Sequence, residues 1–143
     1  MPYRYLEDIA AADAAFEAWG HTQEELFTAA ADAAMNVMVE NIDSITGQEH
    51  RTVHLESDKL DMLLFKLLEE LLYYKDAETL LMRVSGLTIK QKDTRFSLDT
   101  VLSGEKIDPK KHELNVDIKA VTLHRFRVKE TPRGWKATVV LDI

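Results

Sequence analysis

The sequence contains no cysteine among its 143 residues. Disulfides, zinc–thiolate sites and thiol nucleophiles are therefore excluded. The absence also fits a reducing cytosol, where disulfides are rare. The chain contains only three prolines and five glycines, and no segment rich in proline, glycine or serine divides it. We therefore predict one domain over residues 1–143, a length that can bury a hydrophobic core without crosslinks.

Long apolar runs are lacking as well. The longest apolar stretch, from Leu60 to Tyr74, is interrupted by four charged residues. Such a stretch is unsuited to crossing a bilayer. The first residues show no basic segment followed by an apolar run, so we expect no signal peptide. These features predict a cytoplasmic protein that does not associate with membranes.

The charge is unevenly distributed. The net charge of the chain is −7, but residues 1–80 carry −12 and residues 81–143 carry +5. An acidic surface repels a phosphate backbone and attracts cations or basic protein surfaces. We therefore do not expect the whole surface to bind nucleic acid. The alternative interpretation is that the acidic residues form a solvated face without a partner.

The first predicted helix begins at Thr22. Thr22 and Glu25 have the spacing of a capping box, in which each side chain accepts a hydrogen bond from a free backbone N–H. Apolar residues from Leu26 to Met38 follow at helical period. A short helical turn is also predicted from Ala11 to Phe16.

A second helix is predicted after Ser57, a residue type that suits the N-cap. Asp58 and Asp61 would favour the positive end of its dipole, and Lys75 lies near its predicted end. Its buried stripe is predicted to consist of leucines at helical spacing: Leu60, Leu63, Leu64, Leu67, Leu68, Leu71 and Leu72.

The rest of the chain shows strand patterns. Apolar and polar residues alternate from Trp135 to Leu141, and Thr131–Gly134 before them is typical of a hairpin loop. The predicted strands are Tyr3–Leu6, Glu49–Leu55, Leu80–Gln91, Arg95–Ser103, Val116–Lys129 and Gly134–Leu141. This order of elements indicates an α+β fold, with two main helices packed on a mostly antiparallel β-sheet.

No sequence pattern of a known catalytic site is present. The chain lacks GxGxxG, GxxxxGK[ST], HExxH and GxSxG. His50 and His54 would share one face of a strand, but a zinc site there needs a third ligand, and no residue in the sequence is marked as that ligand. We interpret both histidines as polar surface residues and predict no catalytic residue.

One segment points to metal chemistry. Asp142 follows a predicted strand, and its carboxylate together with the carboxylate of the last residue, Ile143, would place several hard oxygens close together. Hard oxygens suit calcium or magnesium, and an aspartate from elsewhere in the chain would complete the site. The alternative is a frayed terminus with a solvated Asp142.

Several segments, in this order along the chain, resemble sequences of the archease family. Lys119-Ala120-Val121-Thr122-Leu123-His124 resembles the Lys-Ala-(Val/Ile)-Thr-x-His stretch of archeases, and the ending Leu141-Asp142-Ile143 resembles their Leu-Asp-(Ile/Val). The other similar segments are Asp13–Gly20, the helix beginning at Thr22, Glu70–Tyr73 and Gly104-Glu105.

The chain departs from the family before its first helix. Archeases typically carry Asp/Glu-His-Thr-Ala-Asp there, whereas this chain has Ile9, Ala10, Ala11, Ala12 and Asp13. The last aspartate is retained, and alanines replace the histidine and the threonine.

The resemblance implies an archease fold and an activating role rather than an enzyme. Archeases promote guanylylation of the RNA ligase that joins 3′-phosphate or 2′,3′-cyclic phosphate ends to 5′-hydroxyl ends in tRNA splicing and RNA repair. They also allow that ligase multiple turnovers. The expected partner is therefore an RNA ligase, with RNA involved only indirectly. Replacement of the histidine and threonine by Ala10 and Ala11 bears on whether this activation is retained.

The resemblance also implies a metal site. Calcium, or another divalent metal such as magnesium, would be held by Asp13, Asp142 and Ile143. Without a cation, two carboxylates in one pocket repel and the pKa of one is raised. Lys119 corresponds to a functional lysine of the family, with an exposed strand lysine as the alternative. His124 is either a polar neighbour of the site or a buried core histidine, and we favour the core.

Two other functions stay open. A general chaperone or protein-interaction module would suppress aggregation of unrelated proteins without needing Asp13 or Asp142. A small metal-dependent hydrolase would need an open coordination position and a positioned water molecule.

Overall fold

The computed structural model describes residues 2–7 and 13–143. Two α-helices and eight strands occur in these residues, which confirms the predicted α+β class. In chain order the elements are β1 (Tyr3–Leu6), β2 (Asp13–Gly20), α1 (Gln23–Met38), a 3-10 helix (Ile42–Ser44), β3 (Glu49–Ser57), α2 (Leu60–Glu78), β4 (Leu80–Lys92), β5 (Arg95–Lys106), β6 (Ala120–Val121), β7 (Arg127–Thr131) and β8 (Gly134–Asp142).

The described strands form two sheets in which every pair is antiparallel. The first sheet has the order β1-β2-β8-β6, and β7 also pairs with β8. The second sheet has the order β3-β5-β4. Strands β2 and β8, which are far apart in sequence, are therefore neighbours in the middle of the first sheet.

Both helices pack on the sheets through the apolar stripes that the sequence predicts. On α2 the leucines from Leu63 to Leu72 are buried, whereas Leu60 at its start is only half-buried. On α1, Phe27 and Met35 are fully buried. Burying a side chain of this size contributes about 1.5–3 kcal/mol to stability. The inward faces of β2 and β8 add to the same core cluster.

The predicted start of α1 is confirmed. Thr22 is the N-cap, and its Oγ1 accepts a hydrogen bond of 3.1 Å from the Glu25 N–H. The Glu25 carboxylate accepts a hydrogen bond of 2.8 Å from the His21 N–H, one residue earlier than in a standard capping box. The two side chains thus satisfy backbone donors on both sides of the cap.

Replacing Thr22 with alanine is expected to lower the free energy of unfolding by about 1 kcal/mol, because the Glu25 N–H loses its acceptor. Urea denaturation would measure the change. Thr22→Ser is the control and should stay close to the wild type, because serine also caps helices. Equal losses in both variants would contradict a capping role for the hydroxyl.

The predicted helical turn before α1 is wrong in its described part. Asp13 to Phe16 belongs to β2, while Ala11 and Ala12 lie outside the described residues. Alanine favours helices, but pairing with β1 on one side and β8 on the other outweighs that preference.

The predicted cap of α2 is also wrong. Ser57 is the last residue of β3, and the N-cap is Lys59, which makes no side-chain capping bond. Asp61 lies in the first turn as predicted, whereas Asp58 precedes the helix. Lys75 lies in the last turn and is buried, where its ammonium group donates to the carbonyl oxygen of Ile118 at 2.8 Å.

The predicted strand Val116–Lys129 is interrupted. Only Ala120–Val121 and the residues from Arg127 onward pair with β8. Between them Arg125 adopts a left-handed conformation with φ of 55°, which ends a strand. The other predicted strands are confirmed, with ends that differ by at most three residues. No helix among the described residues is long and apolar enough to span a membrane.

Candidate functional site

Strands β2 and β8 place Asp13 directly opposite Asp142. Directly opposed residues of an antiparallel pair point to the same face of the sheet, with their Cβ atoms about 5 Å apart. Both side chains are half-buried. Like charges in this arrangement destabilise a sheet unless a cation or another partner compensates them. The pair is therefore the strongest candidate for a functional site in the described structure.

A third strand reaches the same position. Ala120 of β6 is the register partner of Asp142 on its other side. The Lys119 N–H donates a hydrogen bond of 2.8 Å to the main-chain oxygen of Asp142. Lys119 is exposed and Ile143 is half-buried. The structure thus brings the main chains of Asp13, Lys119, Asp142 and Ile143 together at one end of the first sheet.

His124 does not belong to the core, so the interpretation that we favoured is wrong. Its side chain is exposed, and its N–H donates to Thr122 Oγ1 at 3.3 Å. Thr122 in turn donates its N–H to the carbonyl oxygen of Val140. His124 therefore lies in the loop between β6 and β7, offset from Asp142 along β8.

The oxygen donors at this end of the sheet suit a hard cation. Within residues 2–7 and 13–143, no group of three or more histidine, aspartate or glutamate side chains could hold a metal ion. The oxygens that the resemblance implicates are those of the Asp13 and Asp142 carboxylates and the main-chain oxygen of Ile143, and oxygens of this kind suit calcium or magnesium better than zinc. The positions from Ile9 to Ala12, where the family carries its histidine and threonine, lie outside the described residues.

His50 and His54 are exposed residues of β3, as predicted. The ring nitrogens of His54 lie 2.7 Å from an Asp99 oxygen and 2.8 Å from a Glu56 oxygen. The hydrogen bond with Glu56, followed by that with Asp99, raises the pKa of His54. This arrangement is a surface ion-pair cluster and not a zinc site.

A buried carboxylate cluster was not predicted from the sequence. Glu105 at the end of β5 accepts hydrogen bonds from the Thr46 N–H at 2.7 Å, from Lys111 Nζ at 2.7 Å and from His112 Nε2 at 3.0 Å. His112 Nδ1 accepts a hydrogen bond from the Asp108 N–H, so the ring proton of His112 is on Nε2. The cluster fastens the loop after β5 to the segment before β3.

The electrostatics of Glu105 follow from these contacts. Burial alone would raise the pKa of Glu105, but the hydrogen bonds from Lys111, Thr46 and His112 lower it to about 2. The carboxylate is therefore ionised at neutral pH. Because three protein donors hold this carboxylate, we assign the cluster a structural role.

A groove of about 670 Å³ lies beside α1 at the other end of the first sheet. Trp19 and Trp135 form part of its wall. Three carboxylates also line it, and each is bonded within the protein: Glu24 to the Ile89 N–H, Glu25 to the His21 N–H and Asp32 to the Arg83 guanidinium.

Comparison with known proteins shows similarity along the whole chain. The model of the Archease protein family (MTH1598/TM1083) matches residues 3–143. The protein archease of Methanosarcina mazei is 38% identical over 142 residues, which cover 99% of this chain and 95% of that protein. The protein archease of Pyrococcus furiosus is 38% identical over 133 residues, which cover 92% and 93%.

Two solved structures share the fold. The solution structure of Methanobacterium thermoautotrophicum protein 1598 is 33% identical and superposes with a TM-score of 0.85, covering 99% of each chain. The crystal structure described as an archease, possible chaperone, from Thermotoga maritima is 20% identical and has a TM-score of 0.59, covering 96% of this chain and 97% of that one. The sequence and fold similarities together show that this chain belongs to the archease family.

Proposed function

We propose that this protein is a non-enzymatic activating partner of an RNA ligase. It would promote guanylylation of the ligase, and hence multiple turnover, in tRNA splicing and RNA repair. Membership of the archease family supports the proposal. The structural observation that carries it is the directly opposed pair of Asp13 and Asp142.

The pair is suited to a divalent cation. Asp13, Asp142 and the main-chain oxygen of Ile143 would hold calcium or magnesium, which would offset the repulsion between the two carboxylates. The bound cation would supply positive charge for an oxygen of a phosphate group on the partner. Lys119, whose main-chain N–H donates a hydrogen bond to the main-chain oxygen of Asp142, would add a second positive charge next to the cation.

The charge distribution supports a basic protein partner. The first 80 residues carry a net charge of −12, and complementary charge favours rapid and specific association between proteins. No catalytic residue is required by this function, because the chemistry would take place on the ligase.

Replacing Asp142 with asparagine is expected to weaken calcium binding at least about 10-fold, because a neutral amide loses most of the attraction for the cation. Isothermal titration calorimetry with calcium would measure this. The control is Asp93→Asn, an exposed residue of the β4–β5 turn with φ of 56°, a conformation that asparagine tolerates. Unchanged calcium affinity in Asp142→Asn would refute the proposed metal site.

The activating role would be tested with the RNA ligase of the same cell, by following its guanylylation with and without this protein. We expect acceleration by the wild type and by Asp93→Asn but not by Asp142→Asn. If the wild type binds calcium and leaves the ligase unaffected, the activating role is refuted. Suppression of aggregation of unrelated proteins would then favour a chaperone, as the description of the Thermotoga maritima relative proposes for that protein.

A further inference from the structure

Two rows of side chains cross the face of the first sheet that points away from α1. Within a row the residues are direct register partners, and the rows are two positions apart along each shared strand, so all of them share one face. Phe16 and Val139, at alternate positions of β2 and β8, belong instead to the core. We call the seven residues of the two rows the basic face. They are Arg4, Glu17, Thr138 and Arg127 in one row, and Trp19, Lys136 and Lys129 in the other.

The basic face contains four cations and one carboxylate, and only two of the cations contact that carboxylate. Glu17 accepts hydrogen bonds of 2.6 Å from Arg4 and 2.7 Å from Lys136, and the bond from Lys136 is the largest cause of its lowered pKa. Neither Arg127 nor Lys129 forms an ion pair with any residue among those that the structure describes. The face is therefore strongly positive although the chain as a whole is acidic.

The arrangement of these charges also destabilises the sheet. Lys129 lies directly opposite Lys136, and like charges in that position destabilise a strand pair. On a sheet face that only contacts solvent, neutral polar residues at these two positions would avoid the repulsion. Concentrated positive charge of this kind attracts an anionic ligand.

Trp19 indicates which anion fits. Trp19 is 41% exposed and is the register partner of Lys136 on β2, and it also borders the groove beside α1, so it lies at the edge of the basic face. Single-stranded nucleic acid is bound by cations at the phosphates together with exposed aromatic rings on which bases stack. An acidic protein surface would use the cations but would not need the exposed indole.

We propose that the basic face binds single-stranded RNA, with Arg127, Lys129 and Lys136 at phosphates and Trp19 stacked on a base. This proposal rests on the proposed function, because the bound RNA would be the RNA on which the ligase acts. It also replaces the expectation that RNA is involved only indirectly.

The position of the basic face fits that setting. Asp142 lies four residues from Thr138 along β8 and points to the same face, a distance of about 13 Å along an extended strand. The row between them, Ala15 with Val140, is only 1% exposed, so the basic face is open only up to that row. An RNA strand on the basic face would thus end one row before the Asp13–Asp142 pair. One protein could then contact both the RNA end and the nucleotide site of the ligase.

The test uses the protein alone and a labelled oligouridylate of about 12 nucleotides, a length typical of single-strand sites. Fluorescence anisotropy at low salt would measure its affinity. Arg127→Glu combined with Lys129→Glu is expected to weaken binding at least about 10-fold, because two phosphate contacts are reversed. Lys90→Glu combined with Lys92→Glu is the matched control: it makes the same charge change at exposed positions of β4 and should alter affinity less than about twofold.

The stacking contact has its own readout. In a Trp135→Phe variant Trp19 is the sole tryptophan, and its fluorescence is expected to be quenched when the oligouridylate binds. Trp19→Leu should weaken binding by about 5-fold or more, the lower end of what one stacked base contributes.

Three results would overturn the proposal: no binding of the oligouridylate, equal losses in both double variants, or equally tight binding of polyglutamate. The ligase assay separates this proposal from the proposed function. Guanylylation without RNA tests the activation alone, and it should be the same with Arg127→Glu/Lys129→Glu as with the wild type. Loss of activation with intact RNA binding would refute the proposed function only.

Discussion

Replacing Gly104 with alanine is expected to lower the free energy of unfolding by about 3 kcal/mol or more. A Cβ at this position of β5 would lie 1.7 Å from the carbonyl oxygen of Leu81 and 2.9 Å from the Cα of Met82. Both atoms belong to the backbone of β4, so no side-chain rotation can relieve the overlap. The whole β4–β5 pair would have to shift at the centre of the second sheet.

Gly86 provides the matched control for Gly104. It lies on β4 in the same sheet, and a Cβ there would meet nothing within 4 Å. Gly86→Ala should therefore change stability by less than about 1 kcal/mol, and in the stabilising direction if the chain conformation suits alanine. Urea denaturation of both variants would measure the difference. Equal stability of the two variants would show that the sheet relaxes around the added methyl group.

Replacing Glu105 with glutamine is expected to lower the free energy of unfolding by about 2–3 kcal/mol. The carboxylate accepts the Thr46 N–H, the Lys111 ammonium and the His112 Nε2–H, all at 3.0 Å or less. Glutamine keeps the shape but offers one acceptor oxygen and turns an N–H₂ group towards the remaining donors. Glu113→Gln, at an exposed position of the same loop, should leave stability nearly unchanged.

The same pair of variants predicts a pH dependence. The pKa of Glu105 is lowered from an ordinary value of 4.5 to about 2, so the folded state holds the charged form more strongly than the unfolded state. Its contribution to stability is fully present above pH 4.5 and is lost as the pH falls towards 2. Wild type and Glu113→Gln should therefore lose stability in this range more steeply than Glu105→Gln. Parallel profiles would contradict the role of Glu105.

The helices and most strands could be predicted because their signals are local. Thr22 and the leucine stripe of α2 depend only on spacing within one element. Strand β2 could not be predicted, because its alanines favour a helix and only pairing with β1 and β8 makes it a strand. The break at Arg125 was missed for a similar reason, since nothing in its neighbourhood marks a left-handed residue.

The candidate site was predicted from similarity and not from spacing. The sequence alone indicated only that Asp142 needed a second aspartate, and the resemblance to archeases supplied Asp13. The register of β2 and β8 is a long-range property that the pattern of either strand leaves open. The Glu105 cluster was missed because Thr46, Lys111 and His112 meet only after the loop has folded back.

The two sheets differ in how soon their strands can meet. Strands β3, β4 and β5, together with α2, lie within residues 49–106, so their contacts close short loops. Strand β1 can pair with β2 locally, but β2 must wait for β8, and the entropy of closing so long a loop slows that pairing. The second sheet can therefore form early, whereas the contact between β2 and β8 that places Asp13 opposite Asp142 is expected to form late. A partly folded chain that has only the second sheet would therefore lack the Asp13–Asp142 pair, so the proposed metal site would exist only in the fully folded protein.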